Sequence, residues 1–208
     1  MEYELKATAG EYEVTGPDSV SFDKYVVGIT SLEMLLHSLK TVKEKDTYWQ
    51  WIYITLHSAV QAYMVLALSG KGPMLTYSGK PISDMVEILR NTKKLPKFKL
   101  DSYLNLYEKT KSEVFNIYPS ESKLFVPTTS QDQSIKHLNK IRNDFVHYKI
   151  TGLMLIMSNS PFGIVTDCLD YIEFLAFQSN NINWFEEHYK TETERLLSEC
   201  RSVIEAYG

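Results

Sequence analysis

Residues 47–70 read TYWQWIYITLHSAVQAYMVLALSG and contain no charged side chain. The stretch is long enough to cross a bilayer. It also contains polar side chains that hydrocarbon tolerates poorly, namely Gln50, Thr55, His57, Ser58 and Gln61. A helix surrounded by other helices accommodates these side chains better, with His57 satisfied by a hydrogen bond in the core. We therefore expect the central helix of a bundle here, and no membrane span.

Apolar side chains before this stretch, from Phe22 to Val42, recur at steps of three and four residues, the spacing of one helix face. Ser21 is the expected N-cap of this first helix. Similar patterns predict helices over 82–90, after Asp101 as the cap, and over 131–149, 165–178 and 183–207. The helix after Asp101 is expected to have an apolar side made of five residues, namely Leu104, Leu106, Tyr107, Val114 and Phe115. Residues 118–130 are expected to form a loop and residues 150–166 a buried irregular connection.

The fold class that follows is mostly α, a bundle of about five to seven helices. Residues 1–20 are expected to form a short irregular or β N-terminal arm, and residues 21–208 a single helical domain. The whole chain has 208 residues, of which 44% are hydrophobic and 23% charged, as is typical of a globular domain rather than a disordered chain.

The net charge of −4 provides no global positive field to attract nucleic acid, so such a role needs a local basic patch. Cys168 and Cys200 are too few for an all-cysteine zinc site, and we expect both to be reduced and buried. The first residues lack the basic and then apolar layout of a signal peptide. These features predict a cytoplasmic protein.

Motifs for common cofactors and nucleophiles do not occur in the sequence: there is no GxxxxGK[ST], GxGxxG, HExxH, CxxC or GxSxG. We therefore expect no metal and no cofactor. The first of two basic runs contains Lys93, Lys94, Lys97 and Lys99 and is interpreted as a solvated loop. The second contains Lys136, Lys140 and Arg142.

This second run lies in SIKHLNKIRNDFVHYK, residues 134–149, where the helical wheel separates two sides. Leu138, Ile141, Phe145 and Tyr148 cluster on one side. Lys136, Lys140, Asn143 and His147 fall within an opposite stripe about 60° wide. His147 is thus expected to face solvent, with Asn143 one turn earlier to orient it and the two lysines to contact a phosphate backbone.

Arg142 lies about 140° around the same wheel from His147. The two side chains can converge only through their length, through a helix distortion, or through the same segment of a second subunit. This mismatch favours a composite site in a two-fold dimer.

Residues 142–147, Arg-Asn-Asp-Phe-Val-His, resemble the RNxxxH form of the R-x(4–6)-H signature of the HEPN superfamily, late in a helix of an all-α protein. The resemblance covers roughly residues 21–149. It implies an HEPN-like bundle and a homodimeric, metal-independent endoribonuclease, a toxin or anti-phage effector with RNA as substrate. By this resemblance Arg142, Asn143 and His147 are catalytic, and Asn143 orients either His147 or the scissile phosphate. Lys136, Lys140 and Asp144 are the substrate-binding residues: the lysines guide RNA, and Asp144 holds Arg142 of the other chain or, alternatively, has only a surface role.

The alternative from a different class is a dimeric module without catalysis that binds RNA or a nucleotide, or acts as a regulatory scaffold. In that case Arg142 and His147 are structural or contact the nucleotide. A partner antitoxin or nucleotidyltransferase is compatible with both hypotheses.

Overall fold

The computed structural model describes residues 6–8, 11–13, 23–70, 73–78, 99–147 and 161–207. At the N-terminus, strands β1 (Lys6–Thr8) and β2 (Glu11–Glu13) pair antiparallel, with Ala7 opposite Tyr12. The expected arm thus contains a strand pair. The helix predicted over 82–90 lies outside the described residues, as do Lys93, Lys94, Lys97, Tyr148 and residues 150–160 of the connection expected over 150–166. Residues 161–166 of that connection are helical, so the irregular connection predicted there is wrong.

Helix α1 (Lys24–Thr41) buries the leucine stripe that the sequence predicts. Its cap is Asp23, whose carboxylate accepts hydrogen bonds of 2.8 Å from the backbone N–H groups of Tyr25 and Val26. The prediction of Ser21 as the cap is wrong, because a capping side chain must reach the second or third N–H of the helix, which begins at Lys24.

Helix α2 (Trp49–Leu68) follows a short 3₁₀ turn (Asp46–Tyr48) and ends at Ser69, whose N–H contacts the carbonyls of Val65 and Leu66. Its length and composition would suit a membrane span, yet 67% of its most apolar window is buried inside the protein. Helices α1, α3, α4 and α5 all pack against it. The prediction of a central buried helix is therefore confirmed.

Helix α3 (Tyr103–Thr110) is capped by Ser102, whose hydroxyl accepts from the N–H of Asn105, and not by Asp101 as expected. Asp101 braces the cap by accepting from the Ser102 N–H at 2.8 Å. The predicted apolar side is also partly wrong, because Leu104 is 37% and Val114 51% exposed. The helix ends at Thr110 and a 3₁₀ turn (Glu113–Phe115) follows, so helical spacing does not extend to Val114.

Helix α4 (Thr129–Val146) begins two residues before its predicted start. Its capping box joins the Thr128 side chain to the Gln131 N–H, and the Gln131 side chain to the Thr128 N–H. Residues 116–128 before it form no helix or strand, as expected for a loop.

Helix α5 (Pro161–Glu173) continues as a π-helical turn (Phe174–Gln178), and α6 (Glu187–Glu205) packs mainly on α1. The predicted start of α5 at residue 165 is four residues too late, and the predicted start of α6 at residue 183 is four residues too early. Cys168 on α5 and Cys200 on α6 are buried free thiols, as expected. With six α-helices in the described residues, the molecule is a mostly α bundle centred on α2, as predicted.

Candidate functional site

Helix α4 positions the residues that the sequence singles out. Leu138 and Ile141 are buried against the bundle, and Phe145 packs against it from a partly exposed position. The opposite side of the helix carries the stripe of Lys136, Lys140, Asn143 and His147, of which Asn143 is half-buried and the others are exposed. The stripe therefore lies along solvent for most of the length of α4.

Arg142 is half-buried on the flank of α4, and its side chain turns towards the stripe. Its Nη1 atom donates a 3.0 Å hydrogen bond to Oδ1 of the neighbouring Asn143. Asn143 lies one turn before His147, and its backbone carbonyl accepts the His147 N–H at 3.0 Å. The length of the arginine side chain thus brings the Arg142 guanidinium to Asn143, which belongs to the stripe.

His147 is the residue at which α4 ends, and its ring is exposed. Among the described residues the ring has no hydrogen-bond partner, and the Asn143 side chain bonds Arg142. The hydrogen bond by which the Asn143 side chain was expected to orient the ring is therefore absent among the described residues.

The two lysines of the stripe differ. The Lys136 Nζ forms an ion pair of 2.6 Å with Asp132, which also accepts from Lys111 and from the Tyr107 hydroxyl. Lys140 is exposed and forms no ion pair within the part of the chain that the structure describes.

Asp144 is half-buried and likewise has no ionic partner in the described ranges. Arg142 of the same chain donates to Asn143 instead. Of the two stripe lysines, only Lys136 has its charge paired with a carboxylate in the described residues. Lys140 is therefore the one more available to bind a phosphate.

Behind Arg142 lies His57 of α2, a neighbour of the site that the sequence did not reveal. Its ring is 4% exposed, stacks on Tyr103 at 4.1 Å between centroids, and places Nε2 3.2 Å from Oδ1 of Asn139. Burial lowers the pKa of His57 to about 4, and the nearby charge of Arg142 also lowers it, while the bond to Asn139 acts in the opposite direction. At neutral pH the ring is therefore uncharged.

The prediction of a core histidine with a hydrogen bond is confirmed, but its partner Asn139 was missed. The two residues are 82 positions apart in sequence, and only the packing of α4 on α2 brings them together. The one available signal was that Asn139 stands between the polar stripe and the apolar side of the wheel.

A second surface lies on the outer side of α1 and α2. The two helices run antiparallel, because Ser31 bonds Ser58 at 2.9 Å and an added Cβ on Gly28 would lie 3.3 Å from the Tyr63 ring. We call this surface the α1–α2 face; it consists of uncharged residues on adjacent stripes, namely Val27, Ser31, Met34, Trp51, Thr55 and Ser58. Trp51 is 49% and Met34 47% exposed, so large apolar groups face solvent.

The N-terminal half of α2 lies beside the C-terminal half of α4. His57 contacts Asn139, and four residues earlier the Tyr53 ring stacks on Phe145 at 6.4 Å, so the two helices are antiparallel. Trp51 and His147 consequently lie towards the same end of the bundle.

A cleft of about 430 Å³ lies near the opposite end of α4, lined by Ser130, Asp167 and Tyr207 among others. The Asp167 carboxylate accepts from Ser130 at 2.7 Å and from Ser134 at 2.6 Å. Ser130 and His147 are about 25 Å apart along the axis at 1.5 Å per residue, so this cleft is separate from the His147 site. No group of three metal-binding side chains occurs among the described residues.

The chain matches no family model, no curated protein and no solved structure.

Proposed function

We propose that this protein is a metal-independent endoribonuclease of the HEPN type that acts as a homodimer. The observation that carries the proposal is the exposed His147 at the end of α4, with the Arg142 guanidinium drawn towards the same polar edge by Asn143. An imidazole and a guanidinium beside a stripe of lysine form a set suited to a phosphodiester.

The chemistry needs no external nucleophile because RNA carries one. A base removes the proton of a 2′-OH, whose oxygen attacks the adjacent phosphorus, and the bond from phosphorus to the 5′ oxygen breaks. The departing oxygen takes a proton, so the products are a 2′,3′-cyclic phosphate and a 5′-OH. His147 is the acid–base group, and Arg142 holds the phosphate oxygens as negative charge develops.

Two copies of the chain supply the second set of groups that this reaction needs. One exposed imidazole cannot be base and acid on opposite sides of the phosphorus at once, whereas a two-fold dimer presents each group twice. The α1–α2 face is the surface we assign to the contact. The residues that define it are uncharged, so two copies can meet there without like-charge repulsion, and its Trp51 end lies at the same level of the bundle as His147.

Lys140 guides the RNA strand along α4, while Lys136 contributes less because Asp132 already neutralises it. Asp144 is left to pair with Arg142 of the second copy. The buried thiols of Cys168 and Cys200 fit a cytoplasmic location.

The test is cleavage of single-stranded RNA by the purified protein in EDTA, with analysis of the product ends. We expect cyclic phosphate ends, and at least a hundredfold loss of activity in His147→Ala and in Arg142→Ala. His37→Ala, which removes an exposed histidine of α1, serves as the matched control and keeps full activity. Cleavage that persists in His147→Ala, or that requires a divalent metal, would contradict the proposal.

The alternative is a dimeric module that binds RNA or a nucleotide without cleaving it. It is favoured by the absence, among the described residues, of a hydrogen bond that orients the His147 ring. The two functions separate in one experiment. The module retains RNA without product formation, and neither the unchanged protein nor His147→Ala yields cleavage products.

A further inference from the structure

His57 is held on two sides inside the bundle. Its ring stacks almost parallel to Tyr103, at an interplanar angle of 18°, and its Nε2 faces Oδ1 of Asn139 at 3.2 Å. Because an amide oxygen only accepts hydrogen bonds, the imidazole must carry its proton on Nε2 and donate it. The bond is the polar link observed between α2 and α4 in the described residues.

Asn139 occupies the flank of α4 that also bears Arg142. The two residues are three apart, so they lie about 60° apart around the helix axis. The N-terminal half of α4 forms other directional bonds with the bundle, from Ser130 and Ser134 to Asp167 of α5 and from the Tyr107 hydroxyl to Asp132. In the C-terminal half, the other described contacts with the core are made by apolar side chains such as Ile141 and Phe145, and apolar packing has no preferred direction. A hydrogen bond is directional and weakens steeply when it is misaligned.

We propose that the His57–Asn139 hydrogen bond fixes the rotation of the C-terminal half of α4 about its axis and makes His57 a positioning residue for Arg142 and His147. This inference rests on the proposed nuclease function. Side chains extend about 5–6 Å from a helix axis, so a rotation of 10° displaces their ends by about 1 Å. A displacement of that size at a reacting centre can lower a rate about a hundredfold.

The first experiment compares RNA cleavage by His57→Leu with cleavage by the double variant His57→Leu/Asn139→Leu. The single variant leaves the Asn139 amide without its donor, and the double variant replaces both partners by apolar groups, which restores thermal stability. We expect kcat to fall about tenfold to a hundredfold in both, with KM within about threefold of its original value. A merely structural role would restore kcat together with stability in the double variant, and that result would overturn the proposal.

Val60→Ala is the matched control, because Val60 is fully buried on α2 one turn after His57 and contributes no hydrogen bond to α4. It should lower stability and leave kcat within about twofold of the original value. A loss of kcat in Val60→Ala as large as that in His57→Leu would show that general loosening of the bundle is the cause.

The second experiment does not depend on activity. The Nε–H resonance of Arg142, assigned with Arg142→Lys, should shift in His57→Leu and stay in place in Val60→Ala, in the absence of RNA. If the unchanged protein does not cleave RNA, the nuclease function fails while this resonance still tests the positioning. A resonance that does not move in His57→Leu would refute the positioning itself.

Discussion

Helices α2 and α4 each bring one histidine to the region where they lie side by side, and they give it opposite surroundings. His57 is 4% exposed, stacked on an aromatic ring and kept neutral, whereas His147 is exposed at the last turn of α4. The first belongs to a helix without charges, the second to a helix with a polar stripe. The role of a histidine in this bundle therefore depends on whether it lies on the side of its helix that faces the core or on the side that faces solvent.

The same substitution at both positions tests most directly whether the two histidines have different roles. His147→Asn should lower RNA cleavage by about 10³-fold and change the free energy of unfolding by less than about 0.5 kcal/mol. His57→Asn should lower the free energy of unfolding by about 2–3 kcal/mol, because it leaves a void and misplaces a buried donor. Initial rates and urea unfolding measure both, and equal stability losses at the two positions would refute the comparison.

The exposed Trp51 on α2 tests whether the α1–α2 face is the contact between two copies of the chain. Trp51→Lys should weaken self-association by at least about 30-fold, or about 2 kcal/mol, because a large exposed aromatic group is a typical centre of an interface. Val126→Lys is the matched control, since Val126 is 84% exposed in the loop before α4 and far along the chain from the face. Sedimentation equilibrium measures the association. An unchanged dimer in Trp51→Lys would place the contact elsewhere.

The burial of His57 also makes stability depend on pH. The pKa of His57 is about 4 in the folded chain, below its ordinary value of 6.5, so the unfolded chain takes up the proton first as the pH falls. The contribution is complete above pH 6.5 and is lost as the pH falls towards 4; between pH 7 and pH 4.5 it amounts to about 2 kcal/mol. Urea unfolding at the two pH values should show this loss in the original chain and a correspondingly smaller loss in His57→Asn. Equal losses in both chains would contradict the assignment.

The smallest expected effect compares the two lysines of the stripe. Lys140→Ala should weaken binding of a non-cleavable RNA about fivefold at low salt, since one phosphate contact is lost. Lys136→Ala should weaken it less than about twofold, because its charge is already paired with Asp132. Filter binding at two salt concentrations measures both constants. A larger effect at Lys136 would indicate that the ion pair opens when RNA binds.

Much of the bundle could be predicted from periodicity. The buried α2, the apolar stripe of α1 and the two sides of α4 all follow from the spacing of residues along one helix. The ends of helices were harder to predict, because a cap depends on which side chain reaches a free N–H. Asp23 and Ser102 do so, whereas Ser21 and Asp101 stand one or more positions too early.

For the candidate site, the sequence predicted the exposed stripe but not the bonds across it. The Arg142–Asn143 bond joins neighbouring residues, yet it depends on the rotamer of a long side chain, which no spacing rule determines. The His57–Asn139 contact joins two helices that are distant in sequence, and it appears only when they pack together. The ion pair of Lys136 with Asp132 has the i, i+4 spacing of one helix face, whereas the second ion pair of Asp132, with Lys111, again depends on packing.

The position of His147 at the C-cap of α4, directly after Val146, has an electrostatic consequence. The aligned peptide dipoles of a helix leave about half a negative elementary charge at its C-terminal end. A phosphate that approaches His147 therefore meets a repelling helix terminus, the reverse of the attraction that anions find at a helix start. Arg142 and Lys140, both within the last two turns, must counter this repulsion, and a dimer would bring two such pairs of cations to one phosphodiester.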